Sequence, residues 1–134
     1  MRGEKKMMND ECGMMNGKTD ILYRSKLFAL RMIRLYSSLP KTIEAQIIGK
    51  QILRSGTSVG AHLREGKRSR SIAEMISKTE GALQELEETR YWIELLSDSG
   101  IVKAERLFDL MNEADELTAI LVTSAKTLKN RYKK

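Results

Sequence analysis

A single proline, Pro40, stands in 134 residues. Proline lacks a backbone N–H and its ring collides with the preceding helical turn, so its scarcity permits long uninterrupted helices. Aromatic residues make up only 5% of the chain, which argues against a β-sandwich or barrel. The hydrophobic share of 41% is enough for one core, and the length fits one domain. No apolar run is long enough to span a bilayer, and no apolar stretch follows the basic start as it does in a secretory signal. A cytoplasmic protein that does not enter membranes is therefore expected.

The apolar pattern divides the chain into a tail and four segments. Residues 1–19 carry four Met between Met7 and Met15 but no period, and are expected to form a flexible N-terminal tail. The first helix is expected from Asp20 to Ser38, with Ile21, Phe28, Met32, Leu35 and Leu39 on one stripe and Leu27 and Tyr36 beside it. Pro40 ends it and is expected in the first turn of the next helix, where a missing N–H does no harm. The second helix, from about Lys41 to Glu65, carries Ile43, Ile47, Ile48, Ile52, Val59 and Leu63. Its middle reads Ser55-Gly56-Thr57-Ser58-Val59-Gly60-Ala61. Each interior glycine costs about 1 kcal/mol relative to alanine. The apolar phase nevertheless survives this run, so the helix is read as continuous, with the small residues admitting a close neighbour. Gly66 is expected as its C-cap.

The third helix has a capping-box start, Ser71 and Glu74, and is expected to run to Asp98 with Gly100 as the cap. Two heptad seams overlap on it. One runs Ile72, Ile76, Thr79, Leu83, Leu86, Arg90, Ile93. The other runs Met75, Thr79, Ala82, Leu86, Thr89, Ile93, Leu96. The fourth helix, from about Lys103 to Arg131, has its own seam of Leu107, Leu110, Ala114, Leu117, Leu121, Ser124 and Leu128. Long amphipathic segments with short connections predict an all-α, antiparallel up-down-up-down four-helix bundle over residues 20–131, followed by a basic end at 132–134. The surplus apolar face of the third helix predicts a ring-forming homo-oligomer.

Little in the chain points to catalysis. A lone Cys12 forms no disulfide framework, and His62 is the only histidine. Carboxylates crowd the third helix, but the Glu-x-x-His spacing of di-iron bundles is absent. With no nucleophile–base pair, phosphate loop or metal motif, the expectation is a non-enzymatic protein with no cofactor. Arg90 lies on a core seam and is expected to meet a carboxylate. Tyr91 and Trp92 are adjacent, so one is expected in the core and the other at an interface.

Charge is the remaining signal. The net charge is +6, from 24 Lys+Arg against 18 Asp+Glu. Residues 20–67 hold nine basic and three acidic side chains, whereas residues 68–99 hold four against seven. Two basic clusters stand out: Arg64, Lys67, Arg68 and Arg70 at the second turn, and Lys126, Lys129, Arg131, Lys133 and Lys134 at the C-terminus. An up-down bundle brings these to one end, where a combined rim is expected to bind the phosphates of RNA or DNA.

The stretch QILRSGTSVGAHLREGKRSRSIAEMISKTEGALQELEETRYWIELL, residues 51–96, resembles the bacterial four helix bundle protein family, also called the 23S rRNA intervening-sequence protein family. The family pattern reads Q-L-L-R-S-x-T-S-x-G-A-N-x-x-E, a capping Ser, then E-x-x-E-T-x-Y-W-L-x-L-L. Gln51, Arg54, Ser55, Thr57, Ser58, Gly60, Ala61, Glu65, Ser71, Glu85, Glu88, Thr89, Tyr91, Trp92, Leu95 and Leu96 match it. His62 departs from it, standing where the family usually has Asn. The resemblance implies a small cytosolic homopentamer, encoded inside intervening sequences of large-subunit rRNA genes or elsewhere in bacterial genomes. Among the matched residues, Arg54, Ser58, Gly60, Glu65, Tyr91 and Trp92 are assigned to packing or an oligomer interface. A similar pentameric bundle, the accessory variability determinant of diversity-generating retroelements, is basic and binds nucleic acid and a reverse transcriptase. This makes a protein-interaction scaffold for such an enzyme the alternative reading.

Overall fold

The structure, a computed structural model, describes residues 20–133. The expected tail at residues 1–19 and the terminal Lys134 lie outside the described residues. Four helices and no strand make up the described part: α1 (Ile21–Ser38), α2 (Ile43–Lys67), α3 (Ile72–Asp98) and α4 (Ala104–Lys133). At 1.5 Å per residue, α1 is about 27 Å long and the other three about 37–45 Å. Successive helices pack against each other, and α1 meets α4 only lightly. The result is an up-down-up-down bundle of two layers, the α1–α2 hairpin against the α3–α4 hairpin.

Local chemistry sets the helix starts. Asp20 Oδ1 accepts from the Tyr23 N–H, Thr42 Oγ1 from the Ala45 N–H and Ser71 Oγ from the Glu74 N–H, each capping a first turn. Glu74 Oε1 accepts from the Arg70 N–H, one residue before the cap, so the reciprocal half of the box is displaced upstream. At the far end of α3, Gly100 adopts φ +79°, a left-handed turn that side chains resist. Its N–H reaches the Ser97 carbonyl, and the Val102 N–H reaches that of Leu96.

Three expectations at the helix ends are corrected. Pro40 lies outside α2, because Thr42 is the better cap and the Pro40 carbonyl is held by the Gln46 amide. Gly66 is not a C-cap. The helix runs through it to Lys67 and ends on Arg68, while Gly66 is buried against the Lys78 side chain on α3. Ile43 and Ile47 do not join the core, being 78% and 58% exposed. The buried face of α2 is instead Ala45, Gly49, Ile52, Ser55, Gly56, Val59, Gly60 and Leu63. On α3 the second of the two seams is the buried one, through Thr79, Ala82, Leu86, Thr89, Ile93 and Leu96.

The small residues of α2 are a close-approach surface, as expected. A Cβ on Gly56 would overlap the Met32 side chain of α1, and one on Gly49 would stand 2.6 Å from Tyr36 and Leu39. At Gly60 the nearest atom is Ser25 Oγ, at 3.2 Å. Gly56→Ala is therefore expected to destabilise by about 1–3 kcal/mol through overpacking. Gly60→Ala should cost much less, because the added helix propensity, about 1 kcal/mol, offsets a smaller clash. Thermal or urea unfolding of the two variants ranks them, and equal stabilities would show that Met32 yields freely.

Candidate nucleic-acid interface

The alternation of helix directions gathers the start of α1, the end of α2, the start of α3 and the end of α4 at one end of the bundle. Ile21, Leu22, Leu63, Lys67, Met75, Thr127 and Leu128, drawn from all four helices, line a common cleft of about 450 Å³ there. The two basic clusters of the sequence therefore share one rim. Arg64, Lys67, Arg68, Arg70, Lys126, Lys129, Arg131 and Lys133 are all exposed.

Few carboxylates answer them. Glu65 pairs with Lys78 at 2.9 Å, and Glu80 pairs with Lys129. Lys129 thus reaches the rim already neutralised, which sequence alone did not indicate. Arg64, Lys67, Arg68, Arg70, Lys126, Arg131 and Lys133 carry no ion pair among the described residues. The opposite end of the bundle is close to balanced, with Arg34, Lys41, Lys103 and Arg106 against Glu44, Glu94, Asp98, Glu105 and Asp109. Seven cations without an ion pair among the described residues therefore give the rim end an excess of positive charge.

The matched sequence pattern occupies a different place, the outer seam between α2 and α3. Arg54 donates from Nε to Gln51 and from Nη1 to Glu85 at 3.2 Å, and its other nitrogen pairs with Glu88. Glu88 also accepts from the Trp92 indole N–H at 2.9 Å. Beneath this network, the buried hydroxyls of Ser55 and Thr89 hydrogen-bond at 2.8 Å. The pattern thus clamps α2 to α3 within one chain. Gly60 packs on α1, and Ser58 returns its hydroxyl proton to the Arg54 carbonyl. Trp92 is half-buried against the core, as expected of one of the pair, and Tyr91 is exposed. Arg90 meets carboxylates as expected, Asp115 at 2.9 Å and Glu87 at 3.1 Å.

His62 sits in the same seam with its ring against Gly81, 3.8 Å from Glu85 and 3.9 Å from Glu65. Among the described residues no three metal-ligating side chains form a site. Sequence reasoning missed the clasp between the outer helices, where Arg24 forks onto Glu113 and Glu116 at 2.7 and 2.9 Å. Its only trace in sequence is the i, i+3 spacing of the two glutamates.

The Trp92 hydrogen bond is the main cause that holds the Glu88 carboxyl below its usual range, with Arg54 adding to it and partial burial opposing. Because the folded value is the lower one, this contribution to stability is complete above the unfolded value and is lost as pH falls through the folded one. Trp92→Phe removes the donor and should move the Glu88 titration upward. Carboxyl-carbon NMR reads that shift, and an unchanged titration would assign the depression to Arg54 alone.

The family model of the 23S rRNA-intervening sequence protein matches residues 17–123. A crystal structure from Bacteroides thetaiotaomicron, described as a protein with unknown function from the S23 ribosomal protein family, is 36% identical. The match covers 81% of this chain and 97% of that one, with a TM-score of 0.76. No curated protein matches. With four-fifths of its length inside the family model, the chain belongs to the 23S rRNA-intervening sequence protein family.

Proposed function

We propose that this chain is a non-enzymatic accessory protein that self-associates and binds nucleic acid, RNA before DNA, through the basic end of its bundle. The observation that carries the reading is the set of seven cations at one pole without an ion pair among the described residues. Elsewhere Arg24, Arg54, Lys78 and Arg90 are paired, while Lys26, Arg31, Arg34, Lys41, Lys50, Lys103 and Arg106 also lack an ion pair among the described residues. What marks the rim is therefore the convergence of its cations from three helix ends rather than their being unpaired. Contacts of this kind hold phosphates and do not read base edges. Tyr132, 62% exposed between Arg131 and Lys133, adds a ring on which an unpaired base can stack. The family description, which names a 23S rRNA intervening sequence, supports RNA as the class. Self-association multiplies the rim, and the resemblance to the family suggests five copies. Among the described residues no helix is long and apolar enough to cross a membrane.

The chemistry of such binding is electrostatic and therefore salt-dependent. Affinity for a single-stranded oligonucleotide should fall steeply between about 50 and 200 mM salt, by about 300-fold for six contacts. Reversing Arg64, Lys67 and Arg68 to Glu should abolish most of the binding and flatten the salt slope. Fluorescence anisotropy titrations at several salt concentrations measure both. Binding that ignores salt, or survives the reversal, would contradict the rim as the site.

A further inference from the structure

Charge is divided between the two layers of the bundle as well as between its ends. The α1–α2 layer, Asp20–Lys67, carries nine Lys/Arg against three Asp/Glu, a net +6. The α3–α4 layer, Ile72–Lys133, carries eight against twelve, a net −4. Each layer also leaves large apolar side chains outside. On the first, Leu30 and Ile33 of α1 are 37% and 46% exposed, and Ile43 and Ile47 of α2 more so. They lie away from the buried stripes through Phe28 and Met32 and through Ala45 and Ile52. On the second, Phe108 is 64% exposed at the lip of a groove of about 180 Å³ between the end of α3 and the start of α4. Ile93, Ala104 and Met111 form the groove's apolar lining, and Glu94 and Asp98 its acidic edge.

These two features are matched in chemistry and in height. Ile43 and Ile47 stand in the first turns of α2, with Glu44 between them and Lys41 and Lys50 on either side, a local balance of two cations to one carboxylate. The groove is formed where α3 ends and α4 begins, which the alternation of helices places at that same end of the bundle. One feature is on the outer side of the first layer and the other on the outer side of the second. A knob of isoleucines with a net positive surround, Lys41 and Lys50 against Glu44, and an apolar groove edged by carboxylates thus occupy opposite faces at one level. Neither face is complementary to itself, since like charges would oppose each other.

We propose that the Ile43–Ile47 knob of one copy seats in the Phe108 groove of the next, as a head-to-tail contact between unlike faces. Each copy then offers one knob and one groove, and repetition closes into a ring when the rotation permits. Because knob and groove share one height, the bundle axes run parallel and every basic end faces the same side. The proposal rests on the self-association proposed above and names the surfaces that perform it. Exposed ion pairs contribute about 0–1 kcal/mol each, so the apolar contact supplies most of the affinity and the charges fix the pairing of faces.

The test uses two variants of the full chain, each blocking one face: Ile43→Asp with Ile47→Asp, and Phe108→Lys. All three side chains are exposed, and circular dichroism checks that helix content is retained. Light scattering after size exclusion should give each variant alone a mass near one 15.3 kDa chain. Mixed, the intact groove of the first variant and the intact knob of the second should make a two-chain complex and nothing larger. A blocked variant that keeps the wild-type assembly mass would overturn the assignment of faces. So would a mixture that stays at one-chain mass, because an intact knob and an intact groove would then have failed to pair. Wild-type protein that is itself a single chain would instead remove the self-association reading, and this contact with it. Ile43→Ala and Phe108→Ala provide a milder second reading, since each should weaken the assembly measurably, and no weakening from either would count against the contact.

Discussion

The closeness of α2 to its neighbours governs the rest of the structure. Gly49, Gly56 and Gly60 bring its backbone against Tyr36, Met32 and Ser25 of α1, and on its other side Ser55 reaches Thr89 of α3. Small residues at these positions let dispersion contacts form along the backbone itself, at the cost of helix propensity. The Arg54–Glu85–Glu88–Trp92 network then fixes the outer edge of the α2–α3 seam. Helix α2 becomes the central element, and α1 and α4 need little direct contact beyond the Arg24 clasp.

That economy has a consequence for the surface. A helix that buries glycine, alanine and serine has less room in its contact face for large side chains. Ile43 and Ile47 of α2 and Leu27, Leu30 and Ile33 of α1 are left outside as a result. Scattered single apolar residues on a surface need no explanation, but a clustered set on one layer marks a place for a partner. The charges follow two separations at once: between layers, where unlike signs favour contact between copies, and between ends, where surplus positive charge stays free. The first separation suits assembly and the second suits a polyanion, and the knob and groove, at Ile43–Ile47 and Phe108, lie at the opposite end from the rim.

Much of this was legible in the sequence, for physical reasons that can be named. Ser71 with Glu74 marked the start of α3 because an orphan N–H needs an oxygen, and Gly100 marked its end because a left-handed residue does best without a Cβ. The heptad of α4 appeared as the buried face from Leu107 to Leu128, with Ala125 buried in place of the half-buried Ser124. The rim was legible because topology alone decides which ends coincide. The failures came where two local rules competed. Thr42 outcompetes Pro40 for the start of α2, and Gly66 has the local signature of a terminus but serves as a packing site against Lys78. Ile43 and Ile47 have the hydropathy of core residues and the period of a helix, and only the tertiary packing shows that the core lies on the other side. The pairing of Lys129 with Glu80 joins residues 49 positions apart, which no local pattern encodes.

The central claim is that the end of the bundle holding Arg64–Arg70 and Lys126–Lys133 is where a polyanion binds. Amide chemical-shift mapping by TROSY NMR, with a short single-stranded RNA titrated into isotope-labelled protein at low salt, addresses it residue by residue. The account predicts saturable shifts confined to residues 64–71 and 126–133, reversed by added salt. Shifts centred on the outer seam of α2 and α3, or at the Ile43 and Phe108 end, or no shifts at all, would contradict it.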